Sequence, residues 1–182
     1  IIFNDCNWEK MLTETIRSSF GNQGQICLCG SRLLIERPAY DNFKKYFIEI
    51  TKKLTVGDPL DQTTKQGAIV SKVHFEKIMN CISLAKEEGG KILCGGKAFK
   101  LEGRCANGYF IEPTIIEGLD QNCRTNQEEI FGPVITIQPF DTVEEAIQLA
   151  NNSTYDLAAT IWTQEISKAN YVESKVESGI VW

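Results

Sequence analysis

The sequence holds a single histidine, His74, and no Cys-x-x-Cys pair. A zinc site needs about four Cys or His ligands, usually in short-spaced pairs. The one close pair, Cys27 and Cys29, has no second pair to complete it, so no metal is expected. The absence of Cys-x-x-Cys also removes the usual redox dithiol. No stretch approaches the roughly 18–20 continuous apolar residues that span a bilayer. The opening IIFNDCNWEK has no basic segment followed by an apolar run and a cleavage site. These absences argue against a membrane partner and place the chain in the cytoplasm. Positive charge is short as well: 19 Lys and Arg face 24 Asp and Glu, a net charge of −5. The two signs are mingled, so no basic face is available for a phosphate backbone, and nucleic acid is excluded as a partner. Internal repeats and low-complexity linkers are missing too.

What is present describes one globular unit: 182 residues, 42% of them hydrophobic, are enough to bury a sizeable core. The cysteines number seven (Cys6, Cys27, Cys29, Cys81, Cys94, Cys105 and Cys123), an odd count at irregular spacings. That pattern suits free thiols in a reducing compartment rather than a secreted disulfide framework. Both ends are apolar runs, IIF at the start and SGIVW at the close. Domains more often begin and end in polar segments, so the expectation is a fragment, truncated at both ends.

Between the ends, helical and extended patterns alternate. Residues 8–20, WEKMLTETIRSSF, carry apolar residues near helical spacing and stop at Gly21. A short strand is expected in SRLLIE (31–36), and Pro38 opens a helix whose apolar stripe is Tyr40, Phe43, Phe47, Ile50 and Leu54. A further helix is expected over 72–88, and strand then turn in KILCGG (91–96). After the Asn107-Gly108 turn, GYFIEPTII is an extended run in which Pro113 predicts a sheet edge. PVITIQPF (133–140) alternates at period two. Thr142 and Glu145 stand in capping-box spacing ahead of a helix. LAATIW (157–162) predicts one more strand, followed by a helix through about residue 175. Strand-helix-strand order of this kind predicts an α/β fold, a largely parallel sheet covered by helices.

The thiols in FGNQGQICLCGSR (20–32) pose the functional question. A Cys27–Cys29 disulfide would strain the backbone to meet the narrow S–S geometry. Two readings remain: a nucleophile, or small buried hydrophobes as most free cysteines are. Gly21 and Gly24 permit backbone conformations closed to other residues, which predicts a sharp turn that exposes Cys27. Composition alone favours the buried reading, because no base can be named nearby.

Resemblance changes that balance. FGNQGQICLCGSR is similar to the cysteine motif of the aldehyde dehydrogenase superfamily, matched by Phe20, Asn22, Gly24, Gln25, Cys27, Gly30 and Arg32. EEIFGPV (128–134) resembles a second family signature, and GYFIEPT (108–114) has the family's look. The resemblance implies NAD(P)-dependent oxidation of a small-molecule aldehyde to a carboxylic acid, in a full-length homo-oligomer, with Cys27 as nucleophile and Cys29 as bystander. It places Glu129 on the nicotinamide ribose and Phe131 beside the nicotinamide of NAD, without excluding NADP. His74 and Lys77 fall near where some relatives touch the cofactor's adenosine side. In the family the oxyanion is met by the cysteine's own N–H and an upstream asparagine, and losing such a donor costs about 10²–10³ in rate. The flanking residues look most similar to the muconic semialdehyde group, 2-amino and 2-hydroxy alike.

The family's general-base glutamate and its dinucleotide-binding half have no match here, so 1–182 corresponds to a catalytic-domain fragment. Glu9 and Glu14 are not candidates for the base, since a helix of this type displays them to water. Two rivals stay open: a binding or scaffold relative without chemistry, and acyl transfer through a thioester without net oxidation. Residues 1–182 expressed alone are expected to unfold cooperatively by circular dichroism and to react with thiol reagents, yet to bind NAD negligibly and oxidise no aldehyde. Tight NAD binding by calorimetry, or turnover, would contradict this.

Overall fold

The computed structural model describes residues 1–182. In chain order its elements are α1 (Trp8–Phe20), β1 (Arg32–Glu36), α2 (Arg37–Thr51), α3 (Lys72–Glu87), β2 (Lys91–Cys94), β3 (Ala98–Phe99), β4 (Phe110–Ile111), β5 (Thr114–Glu117), α4 (Arg124–Gln127), β6 (Val134–Phe140), α5 (Val143–Asn151), β7 (Ala158–Ala159), α6 (Ile166–Glu173) and β8 (Ile180–Val181). Side chains cap several helices where the sequence has the right residue. Asn7 accepts from Lys10 N–H at 3.1 Å, Ser71 from His74 N–H at 3.2 Å, and Thr142 from Glu145 N–H at 3.1 Å. Glu145 returns to Asp141 N–H, one residue ahead of the position a capping box predicts. No helix is long and apolar enough to cross a membrane.

The main sheet runs β1-β6-β5-β2. Its first two ladders are parallel, and β2 joins β5 antiparallel at the edge. The chain start extends the sheet beyond β1. Ile2 N–H donates to Leu34 O (2.8 Å) and Phe3 N–H to Trp162 O (2.9 Å), which places Ile1–Phe3 between β1 and the segment around Trp162. The parallel pair β7–β8 continues on that side.

Both faces of the sheet are covered, which is why RLLIE and TIIE read as unbroken apolar runs rather than alternations. On one face α1 and α2 bury Met11, Phe20, Phe43 and Phe47 against Leu33, Ile35, Ile115 and Ile137. On the other, α3 packs Ile78 and Ile82 on Ile116 and Val134, while α5 and α6 pack Leu149 and Val172 on Leu34, Phe3 and Phe140. Strand pleating sends Leu34 and Leu33 to opposite layers, so each layer is specified by alternate residues of one short strand.

Two local expectations differ from the structure. Pro113 does not mark an edge: β5 lies between β6 and β2, and the proline stands just before its first ladder residue. Its missing N–H therefore falls where no ladder donor is needed. In 157–162 only Ala158 and Ala159 form a strand, because the neighbours change along the segment. Ile161 N–H reaches Trp182 O (2.7 Å) while Trp162 N–H reaches Ile1 O (2.9 Å).

Phe43 is fully buried and stacked on Phe47 with ring centroids 4.8 Å apart. Phe43→Ala is expected to cost about 3–5 kcal/mol in urea unfolding, as deletion of a buried aromatic does elsewhere. A loss below about 1 kcal/mol would contradict the packing of α2 on the sheet.

Candidate active site

The turn that carries Cys27 begins where α1 ends. Gly21 takes an ordinary extended conformation (φ −54°, ψ 136°), so the expectation that its conformational freedom is needed does not hold. The left-handed residues are instead Asn22 (φ 48°), Gln23 (φ 58°) and Gly24 (φ 67°). Asparagine visits this region readily and glycine freely, while glutamine pays roughly 1–2 kcal/mol. Local hydrogen bonds hold the turn: Asn22 Nδ2 donates to Gln25 O (3.1 Å), and Gln25 N–H donates to Asn22 O (3.0 Å). Residues 66–70 strap it from outside, with Gln66 Nε2 donating to Phe20 O (2.8 Å) and Val70 N–H to Gln25 Oε1 (3.1 Å).

Gly24 has a steric role that the sequence does not reveal. A Cβ added there would lie 2.0 Å from Gly132 O and 2.4 Å from Gly132 C. The turn before Cys27 thus rests directly on the backbone of EEIFGPV, and no side chain fits between them. Gly132 is equally constrained on its far side, where a Cβ would stand 2.5 Å from Ile78 Cδ1 of α3.

This contact brings the predicted residues together. Cys27, Glu129 and Phe131 line one cleft of about 990 Å³, at the upper end of the range for small-molecule and cofactor sites. Cys27 is exposed, flanked by Ile26 and Leu28, which are 42% and 40% exposed. Cys29 is half-buried with its sulfur 3.8 Å from Gly21 O, and burial pushes its thiol pKa up. Cys6 and Cys94 are buried, and desolvation pushes both up to about 11. All seven cysteines are free, and no group of three or more His, Cys, Asp or Glu side chains has metal-binding geometry.

Adjacent acids differ in surroundings. Glu128 pairs with Arg124 at 2.7 Å, which holds its carboxyl below the usual range. Glu129 makes no such pair; its N–H lies 3.4 Å from Tyr155 Oη and its carbonyl accepts from Lys77 Nζ at 2.7 Å. Phe131 is left-handed at φ 58°, an outlier for a bulky residue, and its carbonyl lies 2.7 Å from His74 Nε2. His74 and Lys77 therefore reach the backbone of the segment that holds Glu129 and Phe131. Glu14 sits at the cleft rim within 3.4 Å of Arg17.

Arg32, the last residue of the cysteine motif, belongs to the scaffold. Its guanidinium donates to Leu149 O (3.2 Å), Ala150 O (3.1 Å) and Asn152 O (3.4 Å), closing the carbonyl end of α5. Tyr155 was not singled out in the sequence, since only tertiary contact brings it beside Glu129.

Comparison with known proteins places this geometry in context. The model of the aldehyde dehydrogenase family matches residues 1–182. The 2-aminomuconic semialdehyde dehydrogenase of Mus musculus is 45% identical over 184 residues, covering 100% of this chain and 38% of that protein. A 2-aminomuconic 6-semialdehyde dehydrogenase from a Pseudomonas species is 41% identical, covering 100% of this chain and 37% of that one. Among solved structures, betaine aldehyde dehydrogenase from Staphylococcus aureus in complex with NAD+ superposes with a TM-score of 0.94 at 38% identity, covering 100% of this chain and 36% of that one. A point mutant of that enzyme, also in complex with NAD+, carries a BME-modified cysteine. The chain thus spans little more than a third of the length of these relatives.

Gly24→Ala is expected to lower stability by about 2–4 kcal/mol in urea unfolding. It adds the left-handed penalty to a clash with backbone that cannot rotate away. A change below about 0.5 kcal/mol would show that the two motif segments are not pinned together.

Proposed function

The chain belongs to the aldehyde dehydrogenase family, and on that premise we propose that residues 1–182 are the cysteine-bearing part of an NAD(P)-dependent enzyme that oxidises an aldehyde to a carboxylic acid. Cys27 is the nucleophile. The observation that carries this reading is the convergence of exposed Cys27 with Glu129 and Phe131 in one cleft, through backbone contact at Gly24 and Gly132. The BME-modified cysteine and the NAD+ named for the Staphylococcus aureus enzyme support it.

The chemistry suits the residue types. The Cys27 thiolate adds to the aldehyde carbonyl carbon, forming a C–S bond and an oxyanion, and a hydroxyl in its place would be a poorer nucleophile at neutral pH. The family's cofactor, when bound, supplies an acceptor for the hydride that leaves that carbon. Cys27 is then held as a thioester; water adds to it, the C–S bond breaks, and the carboxylic acid departs with the thiolate restored and one proton released. In this reading Glu129 accepts hydrogen bonds from the ribose hydroxyls, which its unpaired carboxylate supports by leaving that capacity free. Phe131 offers its ring to the nicotinamide. An exposed acid and an aromatic ring that line the same cleft as the thiol, in a cleft this large, fit such a group. The resemblance assigns the remaining cofactor contacts, the general base and the second oxyanion donor to segments outside those matched here. The identity of two relatives as aminomuconic semialdehyde dehydrogenases favours a muconic semialdehyde as substrate.

In the complete enzyme, Cys27→Ser is expected to abolish aldehyde-dependent formation of reduced nicotinamide, followed by its absorbance, while Cys29→Ser retains most of it. Activity that survives the first change, or vanishes only with the second, would move the nucleophile. Thioester turnover without reduced nicotinamide would instead favour acyl transfer.

A further inference from the structure

One face of α3 grips three backbone positions, 129, 131 and 132, of the segment that carries Glu129 and Phe131. His74, Lys77 and Ile78 stand at i, i+3 and i+4 and so share that face. His74 Nε2 is 2.7 Å from Phe131 O, Lys77 Nζ is 2.7 Å from Glu129 O, and the Ile78 side chain leaves no room for a Cβ at Gly132. A carbonyl oxygen only accepts, so His74 Nε2 carries the proton in this contact. The His74 ring also meets the Phe131 ring edge-on, with centroids 6.0 Å apart. Phe131, itself one of the gripped positions, has a left-handed backbone, which persists only if its surroundings over-determine it.

We propose that His74 and Lys77 are positioning residues for the nicotinamide nucleotide: by holding the carbonyls of Phe131 and Glu129 they fix the left-handed turn that keeps the Phe131 ring and the Glu129 carboxylate at the cleft beside Cys27. They act through the backbone of the loop, from the helix side. The inference rests on the reading that Glu129 and Phe131 hold the cofactor, and it adds what holds them.

The test uses the complete enzyme with three readouts: NAD affinity by calorimetry, hydrogen exchange of amides 129–132 in the cofactor-free state, and the rate at which iodoacetamide alkylates Cys27. His74→Leu and Lys77→Met are each expected to weaken NAD binding about tenfold, to speed exchange in 129–132, and to leave alkylation unchanged. His74→Gln retains a donor for the carbonyl and is expected to keep nearly the original affinity and protection. Glu129→Gln serves as reference, removing a charge-assisted hydrogen bond and weakening NAD binding about tenfold or more with exchange unaltered. The proposal is overturned if Glu129→Gln weakens NAD binding while His74→Leu and Lys77→Met leave affinity or exchange unchanged. It is also overturned if His74→Gln is as impaired as His74→Leu. If Glu129→Gln leaves NAD affinity intact, the cofactor reading fails, and the positioning role fails with it.

Discussion

The site depends on a place where two chain segments meet without side chains. Gly24 lies against the carbonyl of Gly132, and Gly132 lies against the Ile78 side chain, so the turn, the 129–132 segment and α3 are stacked with no room for a further methyl group at either glycine. Any larger residue at 24 would separate the turn carrying Cys27 from the segment carrying Glu129 and Phe131. Close-packed interiors transmit such displacements rather than absorbing them. The precision of the cleft is therefore set by glycines that touch nothing reactive.

Around that contact the supports are layered by chemistry. Aromatic and aliphatic packing fixes α1 and α2 on one face of the sheet, which sets where the Cys27 turn starts. Hydrogen bonds then set finer position: the strap at Gln66 and Val70 on one side, His74 and Lys77 on the other. Arg32 ties β1 to the end of α5, close to the turn that presents Tyr155. Electrostatics enters mainly by contrast. Glu128 is engaged by Arg124 and Glu129 is left open, so neighbouring residues of the same type have different surroundings.

Much of the architecture was legible because its signals are local. The helix start at Thr142 is written in a single side chain, and the apolar stripe of α2 recurs at helical spacing. The two motif segments were likewise visible as strings of residues, although their functional meaning came from resemblance rather than from spacing. What escaped involved distant partners. The roles of His74 and Lys77 depend on residues 57 and 52 positions away, and that of Gly24 on backbone more than a hundred residues on. Pro113 misled because a proline states only that one N–H is missing. Which neighbours surround that position is decided by the whole sheet.

The insertion of Ile1–Phe3 between β1 and the segment around Trp162 bears on how the molecule is made. Those partners are separated by about 160 residues, from Ile2 to Trp162, which gives the sheet a strongly non-local pairing. At ribosomal speeds of roughly 5–20 residues per second, one edge of the Ile1–Phe3 segment waits some 10–30 s before its neighbour around Trp162 exists. During that interval Ile2 and Phe3, both buried in the finished fold, have an open strand edge. The edge at Ile2 and Phe3 is thus open to mispairing until the segment around Trp162 exists, and this part of the sheet closes only when residues about 160 positions on have been made.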